Sequence, residues 1–218
     1  MPRMRTLLLA LALLATAPAY AQDQDSPKPD RWHNLILDQS TPDDAIKELG
    51  TPANDKSGHL RVYNVGRAAS DRLNKEETRQ LTFKNVAGMK KVELTFIGDK
   101  LLLIQLNLEK GISANAISNI YGLTFQPKVS GLDESFSPQD YERNQGRVYP
   151  KTYPSVYQLI AVTERVRVDA LVSNVSLGAA LKGSMGVRDD TGSFPGKIDF
   201  IQLISRKMDN RQGADVLK

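Results

Sequence analysis

"KKVELTFIGDKLLLIQLNL", residues Lys90 to Leu108, is the stretch that decides the fold. Val92, Leu94 and Phe96 alternate with polar neighbours, the period of a strand with one buried face. Gly98 and Asp99 are residue types that accept the positive φ of a two-residue hairpin turn. Leu102, Ile104, Leu106 and Leu108 then alternate on the return. The reading is an antiparallel hairpin whose apolar face requires a cover from elsewhere in the chain.

That cover is written upstream as "STPDDAIKELGTP", Ser40 to Pro52. Thr41 suits the N-cap, Pro42 the first helical position, and Asp44 the reciprocal position of a capping box. Asp43 and Asp44 also favour the positive end of the helix dipole. Ala45, Ile46 and Leu49 form one apolar stripe, Gly50 suits the left-handed C-terminal position, and Pro52 blocks continuation. A helix of about two turns is unstable alone, so its stripe must pack on the sheet. Capping accounts for the two aspartates without any acid–base role.

The same plan returns downstream. In "GISANAISNIYGLTFQP", Ser113 takes the place of Thr41, Gly122 that of Gly50, and Ala116, Ile117, Ile120 and Tyr121 form the stripe. "RVY" at Arg61–Tyr63 recurs at Arg147–Tyr149, and "LLLIQLNL" from Leu101 recurs as "IDFIQLIS" from Ile198. The separations grow from 72 (Thr41 to Ser113) to 86 (Arg61 to Arg147) to 97 residues (Leu101 to Ile198), so the order is kept while loops lengthen. Self-similarity of this kind indicates duplication. The expected class is α+β: two tandem units, residues 31–109 and 110–206, each a short capped helix or helix pair on an antiparallel sheet, with the two sheets either separate or joined as one continuous sheet. The added length lies in "KVSGLDESFSPQDYERNQG" and in "SLGAALKGSMGVRDDTGSFPG", both read as turn-rich, the second as a mobile loop.

The chain begins "MPRMRTLLLALALLATAPAYAQ", with two arginines, an apolar run and a small-x-small site ending at Ala21. This is the pattern of a secretory signal peptide, residues 1–21, followed by a flexible linker over 22–30. A disordered tail is expected over 207–218. Cleavage would remove two of 29 basic residues and none of 25 acidic ones, halving the formal charge of +4. So small a charge argues against nucleic acid as a partner. There is no cysteine, which leaves no thiolate nucleophile, no thiolate metal site and no lipid-modified cysteine. A periplasmic or secreted protein without a stable membrane anchor is expected.

The motif Thr-Pro-Asp-Asp followed by Leu49, Gly50 and Pro52, ahead of an antiparallel sheet, resembles the SmpA/OmlA-type small envelope lipoprotein domain of bacteria. The tandem arrangement is similar to the beta-lactamase inhibitory protein-like fold. The resemblance implies the fold class and a habit of binding other proteins; Thr41, Leu49, Gly50 and Pro52 match its motif in structural roles. This chain lacks both the lipid-modified cysteine of the first family and the disulfides of the second, so neither specific function carries over.

Catalytic and cofactor motifs are sparse. His33 and His59 stand in no metal-binding spacing, and neither a Gly-x-Ser-x-Gly elbow nor a Ser-x-x-Lys pair occurs. Asp189 and Asp190 lack the repeating ligand pattern of a calcium loop, and the mixed charges Asp140, Glu142, Arg143 and Arg147 read as a solvated face. No catalytic residue, cofactor or metal is expected. The candidate binding residues are Tyr149, Tyr153 and Tyr157 in "YPKTYPSVY": the prolines favour extended backbone, and a spacing of four puts all three rings on one face of a strand. They read either as the edge of the core or as an exposed aromatic patch for a partner; Trp32 reads as a staple for the N-terminal segment. The expected function is a non-catalytic protein-binding module acting on another envelope or extracellular protein. The rivals are a carrier of a lipid or other apolar molecule and a carboxylate-dependent hydrolase.

Overall fold

The computed structural model describes residues 29–59, 73, 75–130, 137–148, 156–173, 176–185, 187 and 194–209. The leader, most of the linker, Leu60–Val65, Tyr149 and Tyr153 lie outside these residues. The first elements are β1 (Arg31–Trp32), β2 (Leu35–Ile36), α1 (Pro42–Leu49), β3 (Asn54–Gly58), β4 (Thr78–Phe83), β5 (Met89–Ile97) and β6 (Lys100–Ile112). They are followed by α2 (Ala114–Tyr121), β7 (Gln126–Ser130), α3 (Pro138–Arg143), β8 (Val156–Val162), β9 (Val166–Ser173), α4 (Leu177–Ser184), β10 (Lys197–Ser205) and α5 (Arg206–Asp209).

An eight-stranded antiparallel sheet in the order β3-β4-β5-β6-β10-β9-β8-β7 organises the chain, beside a two-stranded ribbon of β1 and β2. The class is α+β. Strands β3 to β6 fill one half of the sheet from edge to centre, β7 to β10 fill the other half from the opposite edge, and β6 meets β10 in the middle. The outermost strands are polar or interrupted: β3 reads NDKSG with its first four residues exposed, and β7 carries Pro127.

The β5–β6 hairpin turns through Gly98 and Asp99, both at positive φ (+53° and +58°), the conformation a tight two-residue turn demands. Val92, Leu94 and Phe96 are at most 1% exposed. One departure from the sequence pattern occurs on β6. The register steps from Thr95 opposite Leu103 to Phe96 opposite Leu101, so Leu102 is the extra residue of a bulge. Leu101 therefore joins Ile104, Leu106 and Leu108 in the main core, while Leu102 falls into a second cluster with Leu73, Leu103, Ile204 and Met208.

Helix α1 is capped at both ends. The Thr41 hydroxyl accepts from the Asp44 N–H at 3.3 Å, and the Asp44 carboxylate accepts from the Thr41 N–H at 2.9 Å. Its C-terminal Gly50 has φ +83° and ψ −160°, open to glycine but outside the left-handed helical well expected for it. Helix α2 begins at Ser113, whose hydroxyl accepts from the Ala116 N–H at 3.2 Å, and ends at Gly122 in the left-handed conformation. Ala45 of α1 and Ala114, Ile117 and Tyr121 of α2 all enter the one large core on the same sheet face. Ile120, expected in that stripe, is 45% exposed; Ala114 is the buried residue instead.

Three other expectations change. "SLGAALKG", read within a mobile loop, forms α4, because Ser176 caps it and Ala179, Ala180 and Leu181 are strong helix formers. The insertion before Tyr149 contributes β7 and α3 rather than turns alone. Lys207 to Asp209, assigned to a disordered tail, are helical, and Met208 is fully buried.

Candidate functional site

Helices α1 and α2 occupy one face of the sheet, and the opposite face carries the polar chemistry. In an antiparallel sheet, paired residues share a face and form rows across the strands. One row runs Glu93, Gln105, Gln202 and Asp169 over β5, β6, β10 and β9. Gln105, Gln202 and Asp169 are at most 5% exposed.

These buried groups are joined by directed hydrogen bonds. Gln105 Nε2 donates to Gln202 Oε1 at 3.2 Å, and Gln202 Nε2 donates to Asp169 Oδ2 at 3.1 Å. Arg167, two residues before Asp169 on the same strand face, places Nε 3.1 and 3.2 Å from the two carboxylate oxygens. At the other end Lys91 pairs with Glu93 at 2.8 Å. The sequence Lys91-Val92-Glu93 on β5 thus has a counterpart in Arg167-Val168-Asp169 on β9, each flanking a glutamine on the inner strand. Thr95 Oγ1 and Asn107 Nδ2 on this face are buried and have no hydrogen-bond partner among the described residues.

On one side of the polar row, Leu103 and Ile204 are closed over by Leu73 and Met208. On the other side, the row Lys91, Asn107, Phe200, Leu171 and Gln158 crosses five strands with every member mostly buried but partly open to solvent. At the usual strand spacing this strip is roughly 20 Å wide. It mixes an apolar centre with amide groups and an ammonium paired to Glu93.

Two concavities lie elsewhere. One of ≈ 500 Å³ sits between the β1–β2 ribbon and α1, lined by Asn34, Gln39, Asp44, Lys47 and Glu48 among others. Its acids are engaged: Glu48 receives the Asn34 amide at 2.9 Å and faces His33 at 3.5 Å, and the Thr41 backbone and hydroxyl hold Asp44 below its ordinary pKa. A general acid needs the opposite shift. The second, ≈ 310 Å³, lies against Pro29, Asp30, Thr163, Glu164 and Arg165. Asp30, placed in the linker by sequence, faces Arg31 at 3.9 Å and Arg165 at 3.8 Å.

Of the sequence candidates, Tyr149 and Tyr153 lie outside the described residues. Tyr157 is in β8, its backbone opposite Val129. Trp32 packs against the main core, with the His33 ring edge-on at 4.4 Å. His59 is exposed. Asp140 and Glu142 face Arg143 and Lys182 at 3.4 and 3.2 Å in exposed pairs. No group of three metal-ligating side chains occurs among the described residues, and Asp189 and Asp190 lie outside them. No described helix is long and apolar enough to cross a membrane.

Sequence reasoning missed the polar row. The available signal was a glutamine in the middle of each aliphatic strand, "LLLIQLNL" and "IDFIQLIS", where a solvent-facing position was the ordinary reading. No protein-family model, curated protein or solved structure matches the chain.

Proposed function

We propose that this chain is an exported, non-catalytic protein-binding module of the bacterial envelope or extracellular space, built as two tandem helix-and-meander units sharing one sheet. The tandem reading is supported by the order of elements: a capped helix followed by four strands running edge to centre occurs once in each half. The matching Lys-Val-Glu and Arg-Val-Asp triplets beside the central glutamines point the same way.

The observation that carries the binding reading is the partly exposed strip Lys91, Asn107, Phe200, Leu171 and Gln158. A shallow strip about five strands wide suits the broad contact of a protein partner better than the enclosed, mostly apolar cavity typical of a small-molecule site. Phe200 at its centre is the natural anchor, since buried aromatic residues dominate interface energetics.

The test is capture of a partner from envelope extract by the chain from Gln22 onward, followed by affinity measurement. A saturable protein partner is expected, and Phe200→Ala should weaken it about tenfold or more at a temperature where the variant remains folded. Replacement of Tyr149, Tyr153 and Tyr157 by alanine should also weaken binding. Absence of any saturable partner for the folded chain would sink this reading.

A further inference from the structure

We propose that the buried row Gln105–Gln202–Asp169 is a register key: it selects the alignment in which the two inner strands, and with them the two halves of the sheet, are joined. The need for one follows from the pairing. In the observed register Leu106 faces Ile201, Gln105 faces Gln202, and Ile104 faces Leu203. A slip of one residue turns every apolar side chain to the wrong face, and burial alone forbids it. A slip of two does not: Leu203 would face Leu106 and Ile201 would face Leu108, again aliphatic against aliphatic on the same face.

What that slip breaks is the amide pair. Gln105 would stand opposite Ile204, and Gln202 opposite Asn107. Gln202 would exchange one amide for another and keep its bond to Asp169, but Gln105 would exchange its amide partner for an isoleucine, and the loss of that one directional bond between buried groups decides between registers that burial leaves close in energy. The key is oriented from one side. Arg167 fixes the Asp169 carboxylate, Asp169 takes the Gln202 amide hydrogen, and Gln202 Oε1 is thereby aimed at Gln105 Nε2. Asp169 and Arg167 are positioning residues in this scheme.

The chain contains no cysteine, so engineered pairs report the register without interference. Leu106→Cys with Ile201→Cys reports the observed alignment, because directly opposed positions lie within disulfide reach. Leu106→Cys with Leu203→Cys reports the two-residue slip, since the same positions are diagonal in the observed register and about 7–8 Å apart. With both glutamines present, only the first pair should oxidise to a disulfide. With Gln105→Leu and Gln202→Leu added, the second pair should oxidise to a comparable extent, with thermal stability unchanged or raised. Disulfide formation confined to the first pair in that folded background would overturn the proposal, because a merely stabilising role changes the melting temperature and not the pairing. If the double leucine variant does not fold, Gln105→Met, which leaves the Gln202–Asp169 bond in place, is read by the same two pairs and the same criterion.

Discussion

Two adjacent rows of the same four strands meet opposite fates. Leu94, Ile104, Leu203 and Val168 form one row on the helix-covered face, all fully buried. One residue along each strand, Glu93, Gln105, Gln202 and Asp169 form the other. Burial of the first is non-directional and proportional to area, so it holds the sheet together without caring which leucine meets which isoleucine. Three members of the second row, Gln105, Gln202 and Asp169, are joined by bonds that work only at short distance and near-linear geometry. The helix-covered face supplies most of the non-directional cohesion, while the other face adds bonds of fixed direction beside its smaller apolar cluster.

Breaking the apolar face has the largest expected effect. Phe96→Ala removes a ring that is 1% exposed in the main core, and should cost about 3–5 kcal/mol in denaturant unfolding. A cost under about 1 kcal/mol would mean that the face repacks freely. Next comes the polar face: Asp169→Ala leaves Arg167 and Gln202 without their shared acceptor. We expect a loss of about 2–3 kcal/mol, reduced from a fully buried pair because Arg167 retains 17% side-chain exposure. If the loss is negligible, the row contributes nothing to the fold.

The contrast also has an alkaline signature. Burial pushes the Tyr121 hydroxyl up to about 12. Because the folded value lies above the unfolded one, the associated stability is full below about pH 10 and declines as pH rises through the folded value. The decline should approach about 2 kcal/mol, and Tyr121→Phe should abolish it in unfolding curves taken across that range. An unaltered decline in the phenylalanine variant would assign it elsewhere. The smallest effect belongs to the cap. Thr41→Ala should cost about 1 kcal/mol, by loss of the hydroxyl bond to Asp44. Since Asp44 has a lowered folded pKa, its contribution is present above about pH 4 and is lost as pH falls through the folded value; the difference between variant and parent should therefore narrow in acid.

Features carried by consecutive residues were legible in the sequence. The β5–β6 turn and the capped helices follow from Gly98-Asp99, Thr41 and Ser113, because turn and cap chemistry is local. Strand β4 has no counterpart in the sequence reading, because Leu81 and Phe83 are a single alternating pair and so a weak period signal. The displacement of Leu102 by a bulge left no trace in a run of leucines. Helix α4 was obscured by its glycines, which weigh against a helix in propensity even where a good cap and a buried alanine–leucine pair hold it. The polar row was hidden for a different reason: its four members lie as far as 109 residues apart, from Glu93 to Gln202, and only the pairing of β6 with β10 brings them together.

The polar outermost strands have a consequence for the molecule's fate among its own copies. A sheet edge exposes a row of unused amide and carbonyl groups, and a second molecule can add to it as readily as a ninth strand. At β3 such an addition would meet the charged pair Asp55 and Lys56 and a glycine, with Asp55 already drawn onto Arg79 at 2.8 Å. At β7 it would meet Pro127, which has no amide hydrogen to give. These edges resist the addition of a further strand, so among the described residues the sheet ends at a strand that is polar on one side and interrupted by proline on the other.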